Sequence, residues 1–309
     1  MNDKILVIGA GAIGAFYGGV FARAGCEVSA VVRSDYETVA AHGYRIESHL
    51  GELSWRPAQL HRSSTDYTGP ADYLLVCLKL TQSTDPVALI RPALGANTTI
   101  VFVANGIDID APIAAAFPNN EVIAGVAYAA VSREGAGIVK HHSHYTRLVL
   151  GRYPAGASVK AAHLVELIKQ GGSSGAVSED IVGARWQKCA WNTVFNPISA
   201  LGGGLGAQDI LGTEASQHFV REAIGEFASI ASAAGHPITD NTAQTLIAGT
   251  LKMPNYVSSM GQDQLAGRPM ETEALLGNVV RIAEELGVPA PRLGTLYALL
   301  QMTEQRTRN

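Results

Sequence analysis

Lys188, Asn192 and Asn196 fall at positions i, i+4 and i+8 within EDIVGARWQKCAWNTVFN, the stretch from Glu179 to Asn196. On a helix this spacing draws one polar stripe that drifts by about 40° over two turns. The neighbours Trp186, Cys189, Trp191 and Phe195 are bulky or apolar. An amine and two amides buried there without partners cost about 1–3 kcal/mol each, a cost that a bound polar ligand removes. The solvated edge of an amphipathic helix produces the same spacing. Pro197 follows at once and kinks or ends such a helix.

A second set of residues suits a phosphate. Gly9, Gly11 and Gly14 stand at G-x-G-x-x-G spacing in ILVIGAGAIGAFYGG. Lys4 to Ile8 before them reads as a strand, Ala12 to Ala24 as a helix of small residues, and Glu27 to Val32 as a second strand. In that context Gly9 permits the tight turn, Gly11 lets the backbone approach a pyrophosphate, and Gly14 lets helix and strand pack closely. The N–H groups that open the helix, at Ala12 and Ile13, then face the phosphates. A glycine-rich turn with no ligand would share the spacing but not the context.

An acid at the end of the second strand would bond the ribose hydroxyls of NAD. That place holds Val32, Arg33 and Ser34. A guanidinium there suits a 2′-phosphate, and a carboxylate would repel one, so NADPH is the expected cofactor. An ordinary surface arginine fits the same position. Lys79, after the apolar run Asp72 to Leu78, and Asn105-Gly106, after Thr99 to Ala104, fall at further strand ends, where ligands of open α/β sheets lie. A solvated lysine and a plain turn are the alternatives there.

The elements that must carry these groups form two domains. Residues 1–177 alternate strand and helix and predict a Rossmann-like dinucleotide-binding domain. Residues 178–309 read as helices only, a substrate-binding domain. Glu121 to Val131 and Gly137 to Leu150 are expected to complete the sheet, and Ser158 to Gln170 a helix. Met270 to Leu286 reads as one helix with Glu271 in its first turn, stopped by Gly287; acids favour first turns for dipole reasons alone. The chain has 309 residues, 47% of them hydrophobic and 16% charged, which suits packed domains. Its net charge of −4 argues against general nucleic-acid binding. No apolar run of membrane-spanning length occurs. Three scattered cysteines suggest thiols in a reducing cytoplasm. His142 and His144 share a strand face but have no acid or cysteine with them, so no metal is expected.

Taken together, GAGAIG, Arg33, Lys79, Asn105-Gly106, KCAWNTVFNP and SSMGQDQLAGRPMETE resemble the ketopantoate reductase family, in order and across both domains. The resemblance implies NADPH-dependent reduction of 2-dehydropantoate to pantoate, a step toward coenzyme A. It implies Lys188 as general acid and Glu271 as the acid that contacts substrate. Asn192, Asn196 and Ser259 match substrate-binding positions, and Lys79 and Asn105 the nicotinamide end. Ala104, Met270 and Glu273 depart from the commonest family residues. A paralogous reductase of another 2-oxo acid, an opine-type dehydrogenase, or a non-catalytic dinucleotide sensor are the other readings. A homodimer through the helical domain is possible, though no segment marks it.

Overall fold

The computed structural model describes residues 2–51, 53–239 and 241–308. They form two compact units. One comprises residues up to Lys79, Thr84–Ala104 and Ile109–Ile181; the other comprises Leu80–Ser83, Asn105–Asp108 and the chain from Val182 onward. A single cut after residue 177 therefore misses two short segments, after Lys79 and after Ala104, that belong with the helices.

The first unit is built on a nine-stranded sheet. Its strands are β1 (Lys4–Ile8), β2 (Glu27–Val31), β3 (Arg45–Glu47), β4 (Leu60–His61), β5 (Tyr73–Val76), β6 (Thr99–Val103), β7 (Val122–Gly135), β8 (Ile138–Arg152) and β9 (Gly175–Val177). They run in the order β3-β8-β7-β6-β5-β1-β2-β4, with β9 paired to β8. From β4 to β7 all neighbours are parallel. Every residue of β5 and β6 is buried, as expected of strands covered on both faces. The two expected strands after Glu121 are a single long antiparallel hairpin, β7–β8, turned at Gly137 with φ +68°. The helices are α1 (Ala12–Arg23), α2 (Tyr36–His42), α3 (Pro86–Ile90), α4 (Ala111–Ala116) and α5 (Val159–Gln170). Ser158 caps α5, its Oγ accepting from Ala161 N at 2.9 Å. Phe16, Val20 and Phe21 of α1 share one buried core with Leu164, Val165 and Ile168 of α5.

The second unit is helical: α6 (Ile181–Leu201), α7 (Ala207–Ile210), α8 (Glu214–Ala233), α9 (Thr242–Lys252), α10 (Ser259–Leu265), α11 (Asn278–Leu286) and α12 (Pro291–Arg308). Val220, Ala223, Ile224, Phe227, Ile230 and Ala231 are the buried stripe of α8, at the spacing of an amphipathic helix. Phe227 meets Trp186 of α6 at 5.3 Å between rings.

Two local expectations need correction. Pro197 does not end α6, which runs on to Leu201; burial of Val194, Phe195 and Ala200 in the core holds the helix together past the missing N–H. The segment Met270 to Leu286 is not one regular helix either. Met270 and Glu271 precede it, the helix starts at Thr272, and Glu273–Gly277 form a π-helical turn before α11. Met270 is buried in the core, which draws it inward. Gly287 ends α11 in the left-handed region, φ +67°, where glycine carries no steric cost.

Candidate active site

The glycine turn has the geometry of a phosphate cradle. Gly9 has φ +87°, and a Cβ on it would stand 2.5 Å from Cys77 O. A Cβ on Gly14 would stand 2.4 Å from Gly9 O and 3.2 Å from Cys77 Cβ. Backbone conformation and packing therefore demand glycine at both places. At Gly11 they do not, since a Cβ there meets nothing within 4 Å. Open space over Gly11 leaves room for a ligand to approach the backbone. No side chain caps α1, and its first turn holds no acid, which keeps the positive helix end available to an anion. Ala12 and Ile13 open this helix. Sequence reasoning missed what holds the turn from outside: Tyr44 Oη donates to Ala10 O at 3.1 Å, and Trp55, stacked on Tyr44, donates through Nε1 to Ala15 O. The pattern around Tyr44 and Trp55 carries no motif that could have shown it.

Arg33 stands just past β2, exposed, with no hydrogen bond or ion pair to a described residue. The nearby acid is otherwise engaged. Asp35 is buried, accepts from Gly137 N at 3.1 Å, and pairs with Arg133 at 3.1 Å. Ser34 Oγ donates to the same carboxylate at 2.8 Å. Asp35 thus anchors the β7–β8 turn. The residues present fit a nicotinamide dinucleotide: the backbone is open to a ligand at Gly11, and an exposed guanidinium stands at the next strand end. Lys79 is exposed beyond the end of β5.

In the helical unit the structure brings together residues far apart in the chain. Lys188 Nζ donates to Asn105 Oδ1 at 2.7 Å. Gly106 explains why the pair is Asn-Gly. It has φ +129°, and a Cβ would stand 2.5 Å from Ala274 O. Ile107 N donates to that same carbonyl at 3.0 Å, and Asn278 Nδ2 to Ile107 O at 2.7 Å. The π turn after Glu271 therefore clamps the segment that carries Asn105; such turns recur at functional sites. Glu271 is buried, and its Oε1 accepts from Leu80 N at 3.0 Å. Asn105, expected at a cofactor's nicotinamide end, touches the lysine directly, a link not legible in its turn-like sequence.

Burial is the largest influence on Lys188 and lowers its pKa to about 8. Cys189 and the Glu271 carboxylate act in the opposite sense, and the Arg185 guanidinium one turn away adds to the lowering. Below Lys188 on α6, Asn192 is half-buried and Asn196 is 2% exposed. Neither side chain forms a hydrogen bond with a described residue.

The paired hydroxyls divide their work. Ser258 is buried and caps α10, accepting from Gly261 N at 3.1 Å. Ser259, half-buried, opens the helix with no side-chain hydrogen bond to a described residue. Gly261 brings α10 against α6: a Cβ on it would stand 2.3 Å from Ser199 Oγ. The conspicuous Asp263 and Arg268 form an ion pair at 2.9 Å that closes the loop after α10. Among the described residues no group of three or more histidines, cysteines and acids is placed to hold a metal, and no helix is long and apolar enough to cross a membrane.

Residues 5–155 match the family model described as ketopantoate reductase PanE/ApbA, and residues 180–304 match its C-terminal counterpart. The chain belongs to the ketopantoate reductase family. It is an oxidoreductase, with the sheet-plus-helices fold of that family. It is 29% identical to a 2-dehydropantoate 2-reductase of Nostoc, over 100% of this chain and 98% of that one. The crystal structure of 2-dehydropantoate 2-reductase from Methylococcus capsulatus superposes with a TM-score of 0.92 at 46% identity, covering 99% of this chain and 98% of that one. The enzyme of the same name from Geobacter metallireducens gives 0.89 at 30% identity, covering 96% and 99%. A D-mandelate dehydrogenase shares the ketopantoate reductase fold, with a TM-score of 0.87 over 99% of this chain and 100% of that one; at 19% identity this likeness concerns fold alone.

Proposed function

We propose that this oxidoreductase reduces 2-dehydropantoate to pantoate with NADPH, feeding coenzyme A synthesis. The observation that carries the reading is the Lys188 ammonium, held by Asn105 Oδ1 at 2.7 Å at the head of a stripe that continues along the same helix through Asn192 and Asn196. NADPH, when bound, supplies a hydride to the 2-oxo carbon. Negative charge then grows on the oxo oxygen, and Lys188 Nζ donates the proton that turns it into a hydroxyl. The amine regains its proton from solvent. Asn105 fixes the direction of Nζ. Asn192 and Asn196 hold the polar groups of the substrate, Ser259 binds its carboxylate, and Glu271 accepts from a substrate hydroxyl while favouring the charged lysine. For the cofactor, backbone N–H groups at Gly11, Ala12 and Ile13 would hold the pyrophosphate, Arg33 would hold the 2′-phosphate, and Lys79 would serve the nicotinamide end. Family membership and the matching names of full-length relatives support the substrate.

The test is a panel of 2-oxo acids, followed by loss of NADPH absorbance. The expected result is the highest kcat/KM with 2-dehydropantoate. Faster turnover of another 2-oxo acid would assign the chain to a different substrate, and binding of NADPH with no turnover at all would favour a sensor.

A pH dependence follows from the lysine. Its protonated form is the active one and its pKa lies near 8. Turnover is therefore flat below about pH 7 and falls about tenfold per unit well above 8. Glu271→Gln removes an influence that raises the lysine pKa, so the limb moves to lower pH. A profile that stays level to pH 10 would remove Lys188 from the proton transfer.

A further inference from the structure

Arg62 follows directly after β4, which runs parallel to β2 with His61 opposite Val31. Val32 N donates to His61 O at 2.8 Å. Arg33 and Arg62 therefore leave the same end of two adjacent strands, whose backbones lie about 5 Å apart. Their surroundings differ. Arg33 has no polar partner among the described residues. Arg62 is engaged twice: its guanidinium lies 4.0 Å above the centre of the Tyr36 ring, and Nη2 pairs with the Glu37 carboxylate. With Glu37 against it, Arg62 is a poor place for a phosphate dianion, because the carboxylate repels that charge and already uses the cation. What remains is a flat, oriented guanidinium on a side chain 55% exposed. A planar cation stacked on an aromatic ring from below suits the face of a purine from above.

We propose that Arg62, backed by Tyr36 and held by Glu37, is the shelf on which the adenine ring of the dinucleotide stacks, while Arg33 alone reads the 2′-phosphate. The inference rests on the dinucleotide reading above. It divides affinity from cofactor choice between two neighbouring arginines: Arg62 contributes to binding of either nicotinamide dinucleotide, and Arg33 discriminates between them.

The test titrates the whole protein with NADPH and with NADH, following dinucleotide fluorescence, for the wild type and the variants Arg62→Ala, Arg62→Lys and Arg33→Ala. Arg62 is exposed, so its variants fold. Arg62→Ala should weaken both dinucleotides by about fivefold to thirtyfold and leave the ratio of their Kd values unchanged. Arg62→Lys should behave like the alanine variant, because an ammonium lacks the plane. Arg33→Ala should change the ratio. Weakening of NADPH alone by Arg62→Ala would overturn the shelf and make Arg62 a phosphate contact. Full recovery by lysine, or no effect on either dinucleotide, would overturn it as well. A wild type that binds neither dinucleotide would instead overturn the cofactor reading itself, and the shelf with it.

Discussion

Replacing Lys188 with alanine should lower kcat for 2-dehydropantoate by about 10²–10⁴ and leave the Kd for NADPH within about twofold. The loss is large because the lysine does two things at the reacting oxygen. Its charge stabilises the developing alkoxide, and its proton completes the alcohol. Both are worth more in a buried setting than in water, and burial is what dominates the electrostatics of this side chain. The cradle at Gly9, Gly11 and Gly14 lies in the sheet unit and does not include the lysine, which is why dinucleotide affinity should survive. The variant should also lose the fall in rate at alkaline pH. Near-normal turnover by Lys188→Ala in the NADPH absorbance assay would end its role as the acid.

Arg33→Ala should raise the Kd for NADPH by about tenfold to a hundredfold, with little effect on NADH. Hydrogen bonds to a charged group contribute about 1.5–3 kcal/mol, and each 1.4 kcal/mol is a factor of ten. Among the described residues the arginine has no competing partner to release on binding, so most of that interaction appears in the affinity. Asp35 does not convert the site to an NAD reader when Arg33 is lost, because its carboxylate is committed to Gly137 N and Arg133. The measurement is a fluorescence titration with each dinucleotide, alongside kcat/KM for both. An unchanged preference would place recognition of the 2′-phosphate on other residues.

The sequence exposed those parts of the fold and site that local pattern encodes. G-x-G-x-x-G between an apolar strand and a small-residue helix announces the cradle, because each glycine answers a local steric demand. Lys188, Asn192 and Asn196 announce themselves by helical spacing. The partner of the lysine could not be read in this way. Asn105 lies 83 residues away in what looks like an ordinary turn, and only the fit of Gly106 against Ala274 brings it there. The Leu80–Glu271 contact spans 191 residues and uses a backbone N–H, which any residue but proline supplies. The same limit explains the two short segments that join the helical unit from within the sheet region. Nor does the pattern of Met270 to Leu286 betray the π turn, since the periodicity of a short helix survives one extra residue. Asp35 lies past the end of the second strand, and its bond to a hairpin 102 residues on, at Gly137, is a link that no local pattern shows.

The most direct test of the central claim, that Lys188 supplies the proton to the oxo group, is a crystal structure of the protein with NADP and pantoate both bound. The account predicts Lys188 Nζ within about 3 Å of the 2-hydroxyl oxygen of pantoate, at hydrogen-bonding geometry. An Nζ more than about 4 Å from that oxygen, with no water between them, would contradict it.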